Sequence, residues 1–146
     1  MIVDRVDGVR SPAELTELFR ASGLKITPQR EAVFRALDRN DAHPTAESVH
    51  VAVTAEMPNV SLRTVYQVLN DLASMGELQL LDMGTGSTRF DPNVDAHHHL
   101  VCTECDKVRD LYADFRAVRV PSGAEQGFRI DSAEVVFRGR CDACKR

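Results

Sequence analysis

The chain has 146 residues and a net charge of -4, with 43% apolar residues, no tryptophan and few aromatics. That length makes one ordinary domain or two small ones, with cores built from Leu, Val, Ala and Phe. No apolar run approaches the ~18 residues of a membrane span, and no long apolar segment of a secretory signal opens the chain. The expectation is therefore a cytoplasmic protein, without a membrane partner, whose thiols stay reduced.

The first half predicts helices with clear punctuation. Ser11-Pro12-Ala13-Glu14 is a capping box with proline at the first helical position. Leu15, Leu18 and Phe19 follow at helical spacing, and Gly23 is the predicted stop. Thr27-Pro28 opens a second helix whose apolar stripe is Val33, Phe34 and Leu37. After the loop ending in His43-Pro44, Thr45 caps a third helix carrying Val49, Val53 and Met57. Pro58-Asn59 breaks the chain, and Ser61 caps a fourth helix with Leu62, Val65, Leu69 and Leu72 on one face. Gly76 ends it.

Leu78–Leu81 and Thr88–Phe90 flank Gly84-Thr85-Gly86-Ser87, the pattern of a β-hairpin. Helices followed by a hairpin make a winged-helix pattern. After Asp91-Pro92-Asn93 the character changes to short predicted strands at Leu100-Val101, Val108–Leu111, Phe128–Ile130 and Glu134–Phe137. A domain boundary is expected near residues 90–95. The fold class is thus α+β: a winged helix-turn-helix domain over 1–90, a linker over 91–96, and a small α/β domain over 97–146.

All four cysteines form two CxxC pairs, Cys102-Thr-Glu-Cys105 and Cys141-Asp-Ala-Cys144. Structural zinc commonly uses such paired turns, because the two-residue spacer lets both sulfurs face one ion. Redox dithiols or a tetrathiolate iron centre are the other readings of the spacing. An ion here would staple the last strand to the first strand of a domain too small to build a large core.

Before the first pair stand His97, His98 and His99. In an extended segment His97 and His99 point to one side and His98 to the other. Asp91 and Asp95 lie upstream, Asp110 lies in a predicted strand, and His43 is remote in sequence. Imidazoles with carboxylates suit Fe(2+), Mn(2+), Zn(2+) or Ni(2+). A solvated polar loop has the same composition.

The acidic net charge is no global sign of nucleic-acid binding, so a local face must serve. Val60–Asn70 contains no acidic residue. With Leu62, Val65 and Leu69 turned inward, Arg63, Thr64 and Gln67 project from the helix's N-terminal part, with Tyr66 beside them. Arg suits guanine, Gln adenine, and Thr a phosphate or a thymine methyl. A helix entering the major groove by its N-terminal residues is the helix-turn-helix docking geometry. An ordinary polar face on a surface helix would look alike.

Taken together, Leu24-Lys-Ile-Thr-Pro-Gln-Arg30, Ala42-His-Pro-Thr-Ala46, Val60-Ser-Leu-Arg-Thr-Val-Tyr66, Ser87-Thr-Arg-Phe-Asp91, His97-His-His-Leu-Val-Cys102 and the two CxxC pairs resemble the ferric uptake regulator family of metal-sensing repressors. They stand in the family's order and span nearly the whole chain. The resemblance implies a winged helix, a hinge and a C-terminal dimerisation domain. Cys102, Cys105, Cys141 and Cys144 match the family's structural zinc site, and His43, Asp91, His97, His99 and Asp110 its regulatory Fe(2+) or Mn(2+) site.

Aspartate at both 91 and 110 is most similar to the peroxide-stress branch. There, His43 and His97 match the histidines that Fe(2+) and peroxide oxidise. Two departures stand out. Arg119–Gly127 carries Pro121 and Gly123 where relatives have a longer helix, and Asp131–Glu134 lacks a histidine that many relatives use for a further metal.

The leading expectation is a homodimeric, metal-dependent repressor that binds palindromic double-stranded operator DNA and senses peroxide. The alternative in the same class is an iron- or manganese-responsive repressor of metal-uptake genes without peroxide sensing. A metalloenzyme acting on an organic substrate would lead one to expect HExxH, GxSxG or a Gly-rich phosphate loop, and none occurs. A zinc-ribbon interaction module would leave Arg63–Asn70 and the hairpin unexplained.

Overall fold

The computed structural model describes residues 10–40, 42–84, 86–92, 94, 97–115 and 117–145. Thr85 of the hairpin turn, and Asn93, Asp95 and Ala96 of the expected linker, lie outside them. The chain divides into two compact units, Met1–Val94 and Asp95–Arg146.

The first unit contains α1 (Pro12–Ala21), α2 (Pro28–Leu37), α3 (Ala46–Glu56), α4 (Leu62–Ser74), β1 (Gln79–Leu81) and β2 (Arg89–Asp91). Every helix starts behind a hydroxyl cap. Ser11, Thr27, Thr45 and Ser61 accept from the backbone N–H of Glu14, Arg30, Ser48 and Thr64, each satisfying one amide the helix leaves open. Ser11 and Glu14 complete the capping box, Glu14 Oε2 accepting from Ser11 N at 2.8 Å.

The stops follow the same logic. Gly23 (φ 77°) and Gly76 (φ 74°) adopt left-handed backbone. Leu24 N then donates to Phe19 O, and Glu77 N to Leu72 O, each at 2.9 Å. These are Schellman closures, where glycine carries no Cβ penalty.

Leu15, Phe19, Val33, Phe34, Leu37, Val49, Val53, Val65, Leu69, Leu72 and Phe90 form one buried cluster. Phe19 and Phe34 meet edge to face at 4.9 Å, the arrangement their ring quadrupoles favour. In α4 the buried residues are Val65, Val68, Leu69 and Leu72. Val68 therefore joins the inward face expected from the sequence, while Leu62 is only partly buried. β1 and β2 pair antiparallel, Leu80 opposite Phe90. An isolated bridge between Thr45 and Arg89 ties the start of α3 to β2. Asp91, counted with the linker in the sequence reading, is the last residue of β2.

The second unit contains β3 (His98–Cys102), β4 (Val108–Leu111) and β5 (Val136–Gly139), in the order β4-β3-β5. β4 runs antiparallel and β5 parallel to β3. A parallel neighbour requires a long crossover, supplied by residues 112–135. One expectation fails in that crossover.

Phe128–Ile130 is not a strand, and Phe128 and Ile130 are 72% and 50% exposed. Phe128 N is spent on a turn to Glu125 O at 2.8 Å, and Gln126 (φ 48°) and Gly127 (φ 80°) curl the chain left-handed just before it. Nor does any helix occur among the described residues of this unit. Pro121 and Gly123 interrupt the stretch that would have to form one, proline by removing a donor and glycine by its entropy. Among the described residues of this unit, the buried apolar ones are Val101, Cys102 and Val108.

Candidate metal centres

The four cysteines converge on two turns at one end of the second sheet. Cys102 closes β3, and its N–H donates to Lys107 O at 2.9 Å, while Asp106 N returns to Cys102 O at 3.0 Å. Asp106 has a positive φ of 60°, which turns the chain back so that Lys107 O meets the Cys102 N–H. The second turn is built alike, with Cys144 N donating to Cys141 O at 2.9 Å. Thr103 N donates to Gly139 O at 2.8 Å, and Cys141 N to Cys102 Sγ at 3.4 Å, so the two turns are locked together.

One Sγ from each cysteine lies within 4.8 Å of all the others, and Cys105 and Cys141 are 3.7 Å apart. A tetrahedron with Zn–S bonds of about 2.3 Å has edges of roughly 3.8 Å, so the donor set fits zinc. The thiols also differ in acidity. Backbone N–H groups of Cys105 and Cys141 pull Cys102 down to about 6. The sulfurs of Cys141 and Cys105 push Cys144 up to about 12. Four thiols this close cannot all ionise unless a cation shares their charge.

The imidazoles and carboxylates occupy both units. In the first, His43 adopts a positive φ of 52°, a left-handed conformation uncommon for a residue with a Cβ. The backbone is held there from two sides: Arg89 Nη1 donates to His43 O at 3.0 Å and Phe90 N to Pro44 O at 2.9 Å. The result sets His43 Nε2 3.3 Å from Asp91 Oδ2, both side chains buried.

In the second unit, β3 and β4 pair His99 with Asp110. His97 Nε2 lies 2.9 Å and His99 Nε2 3.4 Å from the same oxygen, Asp110 Oδ1. The two rings are 4.5 Å apart. Ligands about 2.1 Å from an ion stand roughly 3.0 Å apart across a right angle and 3.4 Å across a tetrahedral one. These spacings therefore fit a cation taken by two imidazoles and a carboxylate.

His98 points elsewhere, as the alternation requires. Its Nδ1 accepts from Val135 N at 2.9 Å, and its ring meets Phe115. His50, on α3, is tied to Val60 O at 2.8 Å and has a structural role. A partner that the sequence did not single out is Glu134, whose Oε1 lies 2.7 Å from His99 Nδ1. Only the parallel register of β5 on β3, His99 opposite Val136, brings it there.

On α4, Arg63, Tyr66 and Gln67 are exposed and Thr64 partly so. Thr64 Oγ1 shares a hydrogen bond of 3.0 Å with the capping Ser61 Oγ. Tyr66 Oη donates to Glu47 Oε1 on α3 at 2.9 Å. That bond, helped by burial and the carboxylate's charge, raises the phenol above its ordinary value and keeps it protonated. No helix among the described residues is long and apolar enough to cross a membrane.

Known proteins resemble this chain in sequence and in fold. Residues 21–138 match the model of the ferric uptake regulator family. The peroxide-responsive repressor of Staphylococcus epidermidis is 33% identical over 127 residues, 86% of this chain and 85% of that protein. The Helicobacter pylori ferric uptake regulator, whose structure reveals three functional metal binding sites, superimposes with a TM-score of 0.73 at 21% identity, over 97% of this chain and 98% of that one. The Pseudomonas aeruginosa ferric uptake regulator, solved with manganese, is 28% identical with a TM-score of 0.61, over 87% of this chain and 97% of that one. Two CxxC turns with zinc spacing, a His/Asp cluster and a family match over most of the chain lead to one conclusion: this protein belongs to the ferric uptake regulator family.

Proposed function

We propose that the protein is a cytoplasmic homodimeric repressor that binds palindromic operator DNA when a divalent cation occupies the His/Asp site, and that peroxide ends repression by oxidising that site. The observation that carries this reading is the single oxygen of Asp110 faced by the Nε2 atoms of both His97 and His99. His43 and Asp91, 3.3 Å apart in the first unit, supply the other two donors.

Three imidazoles with two carboxylates suit Fe(2+) or Mn(2+). His43 and Asp91 come from the DNA-binding unit, so an ion shared with His97, His99 and Asp110 favours one arrangement of the two units over others. By linkage, operator DNA then tightens metal binding by the same factor as metal tightens DNA binding. Arg63, Thr64, Tyr66 and Gln67 are the proposed DNA contacts, α4 entering the major groove by its first turns. Cys102, Cys105, Cys141 and Cys144 hold structural zinc and take no part in sensing.

Ferrous iron, when bound, supplies the reduction of hydrogen peroxide that oxidises a histidine ligand. The chain's own residues decide which histidine is at risk, His43 and His97 being the candidates. The peroxide branch rests on aspartate at both 91 and 110 and on the peroxide-responsive relatives. An iron- or manganese-responsive repressor without peroxide chemistry is the alternative outcome.

The deciding experiment measures operator binding with Fe(2+), Mn(2+) and Zn(2+) in turn, with and without peroxide, and follows His43 and His97 by mass spectrometry. Loss of binding only with Fe(2+) and peroxide, with one added oxygen atom on either histidine, is expected. Retained binding with unmodified histidines would replace the peroxide reading with the metal-responsive one. Metal-independent DNA binding would overturn both.

A further inference from the structure

Glu134 lies outside the five residues proposed to hold the cation, yet it makes a short contact with one of them. His99 has a carboxylate at each ring nitrogen: Glu134 Oε1 2.7 Å from Nδ1, and Asp110 Oδ1 3.4 Å from Nε2. The two contacts are unequal. At 2.7 Å the Nδ1–H donates a strong, charge-assisted bond to Glu134. At 3.4 Å the Nε2–Asp110 separation is long for a hydrogen bond and close to the spacing of two ligands on one ion.

The backbone makes the Glu134 contact a built feature of the sheet. β5 adds parallel to β3, and His99 N donates to Val135 O at 3.1 Å. Val135 N in turn donates to His98 Nδ1 at 2.9 Å. The residue after Glu134 is therefore anchored to both His98 and His99, and Glu134 is carried to the Nδ1 edge of the His99 ring.

We propose that Glu134 is a positioning residue for the regulatory site. It keeps the proton of neutral His99 on Nδ1, so that the Nε2 lone pair is presented on the Asp110 side. A free neutral imidazole in water prefers the proton on Nε2, which would block the ligating atom. A carboxylate behind the ring also makes the opposite nitrogen a stronger donor to a cation. Such partners behind a ligating histidine are typically worth 10–100-fold in metal affinity. This inference rests on the reading of His99 as a ligand given above.

The test uses the full-length, zinc-loaded protein labelled with 15N-histidine. Long-range 1H–15N correlations assign the His99 tautomer without metal at the His/Asp site, and Mn(2+) titration gives the affinity. The wild-type protein is expected to show the Nδ1–H form. Glu134→Ala is expected to shift His99 toward the Nε2–H form and weaken Mn(2+) about 10–100-fold. Glu134→Gln, whose amide oxygen still accepts from Nδ1, is expected to keep the wild-type tautomer and recover part of the affinity.

The Glu134 side chain is 42% exposed, so its truncation is compatible with folding, and unchanged zinc content checks this. An unaltered tautomer in Glu134→Ala overturns the proposal, and so does wild-type Mn(2+) affinity. Failure of the wild-type protein to bind Mn(2+) would instead overturn the ligand reading, while the tautomer measurement still decides the role of Glu134.

Discussion

Replacing Cys141 with serine should unfold the second unit while leaving the first folded. Among the described residues of the second unit, the buried apolar side chains are Val101, Val108 and that of Cys102. Two buried valines contribute together about 3–6 kcal/mol. The apparent folding contribution of a structural zinc is about 10–16 kcal/mol. The ion therefore outweighs the core it accompanies. Cys141 is placed to matter most, because its Sγ stands 3.7 Å from Cys105 and its N–H reaches Cys102 Sγ. It lies two residues beyond the end of β5, so losing it releases the parallel edge strand as well.

Zinc content and amide hydrogen exchange are the measurements. Ladder amides of Val101, Arg109 and Phe137 should lose protection in Cys141→Ser and in wild-type protein stripped by a strong chelator. Amides of Val65 and Leu69 in α4 should keep it. Protected ladder amides in a zinc-free protein would mean that the strands, and not the ion, hold this unit together.

Arg63→Ala should weaken operator binding by about 1–3 kcal/mol, roughly 10–100-fold, with the circular-dichroism spectrum unchanged. In the wild-type protein, affinity should fall steeply with salt despite the net charge of -4, because phosphate contacts release counterions. Leu69→Ala, at a position fully buried against the helical core, should cost about 2–5 kcal/mol in denaturant unfolding. Asp110→Glu should retain metal-dependent DNA binding while slowing peroxide inactivation, read as the half-time of operator release with Fe(2+). Equal half-times would count against the peroxide branch.

Local chemistry wrote the helical half of the molecule plainly. Ser11, Thr27, Thr45 and Ser61 are caps, and Gly23 and Gly76 stops, because their side chains or lack of them act within a few residues of chain. The period of Val65, Leu69 and Leu72 was enough to orient α4 and so to expose Arg63, Tyr66 and Gln67. The cysteine spacing was equally local, since one CxxC turn aims two sulfurs by itself. The expected strand at Phe128–Ile130 failed because its apolar residues said nothing of the left-handed turn at Gln126-Gly127 before it or of a missing ladder partner.

By itself, then, the sequence determined the caps, the inward face of α4, the four-thiolate site and the alternation of His97 and His99. Tertiary structure decided which side chains meet across distant segments. The antiparallel register of β4 on β3 put Asp110 against His97 and His99. Pairing of β2 with the Pro44–Thr45 segment fixed His43 beside Asp91. The parallel return of β5 carried Glu134 to the far nitrogen of His99. Spacing along a chain reports only on near neighbours, whereas strand register, set by hydrogen bonds between remote backbones, determines what faces what.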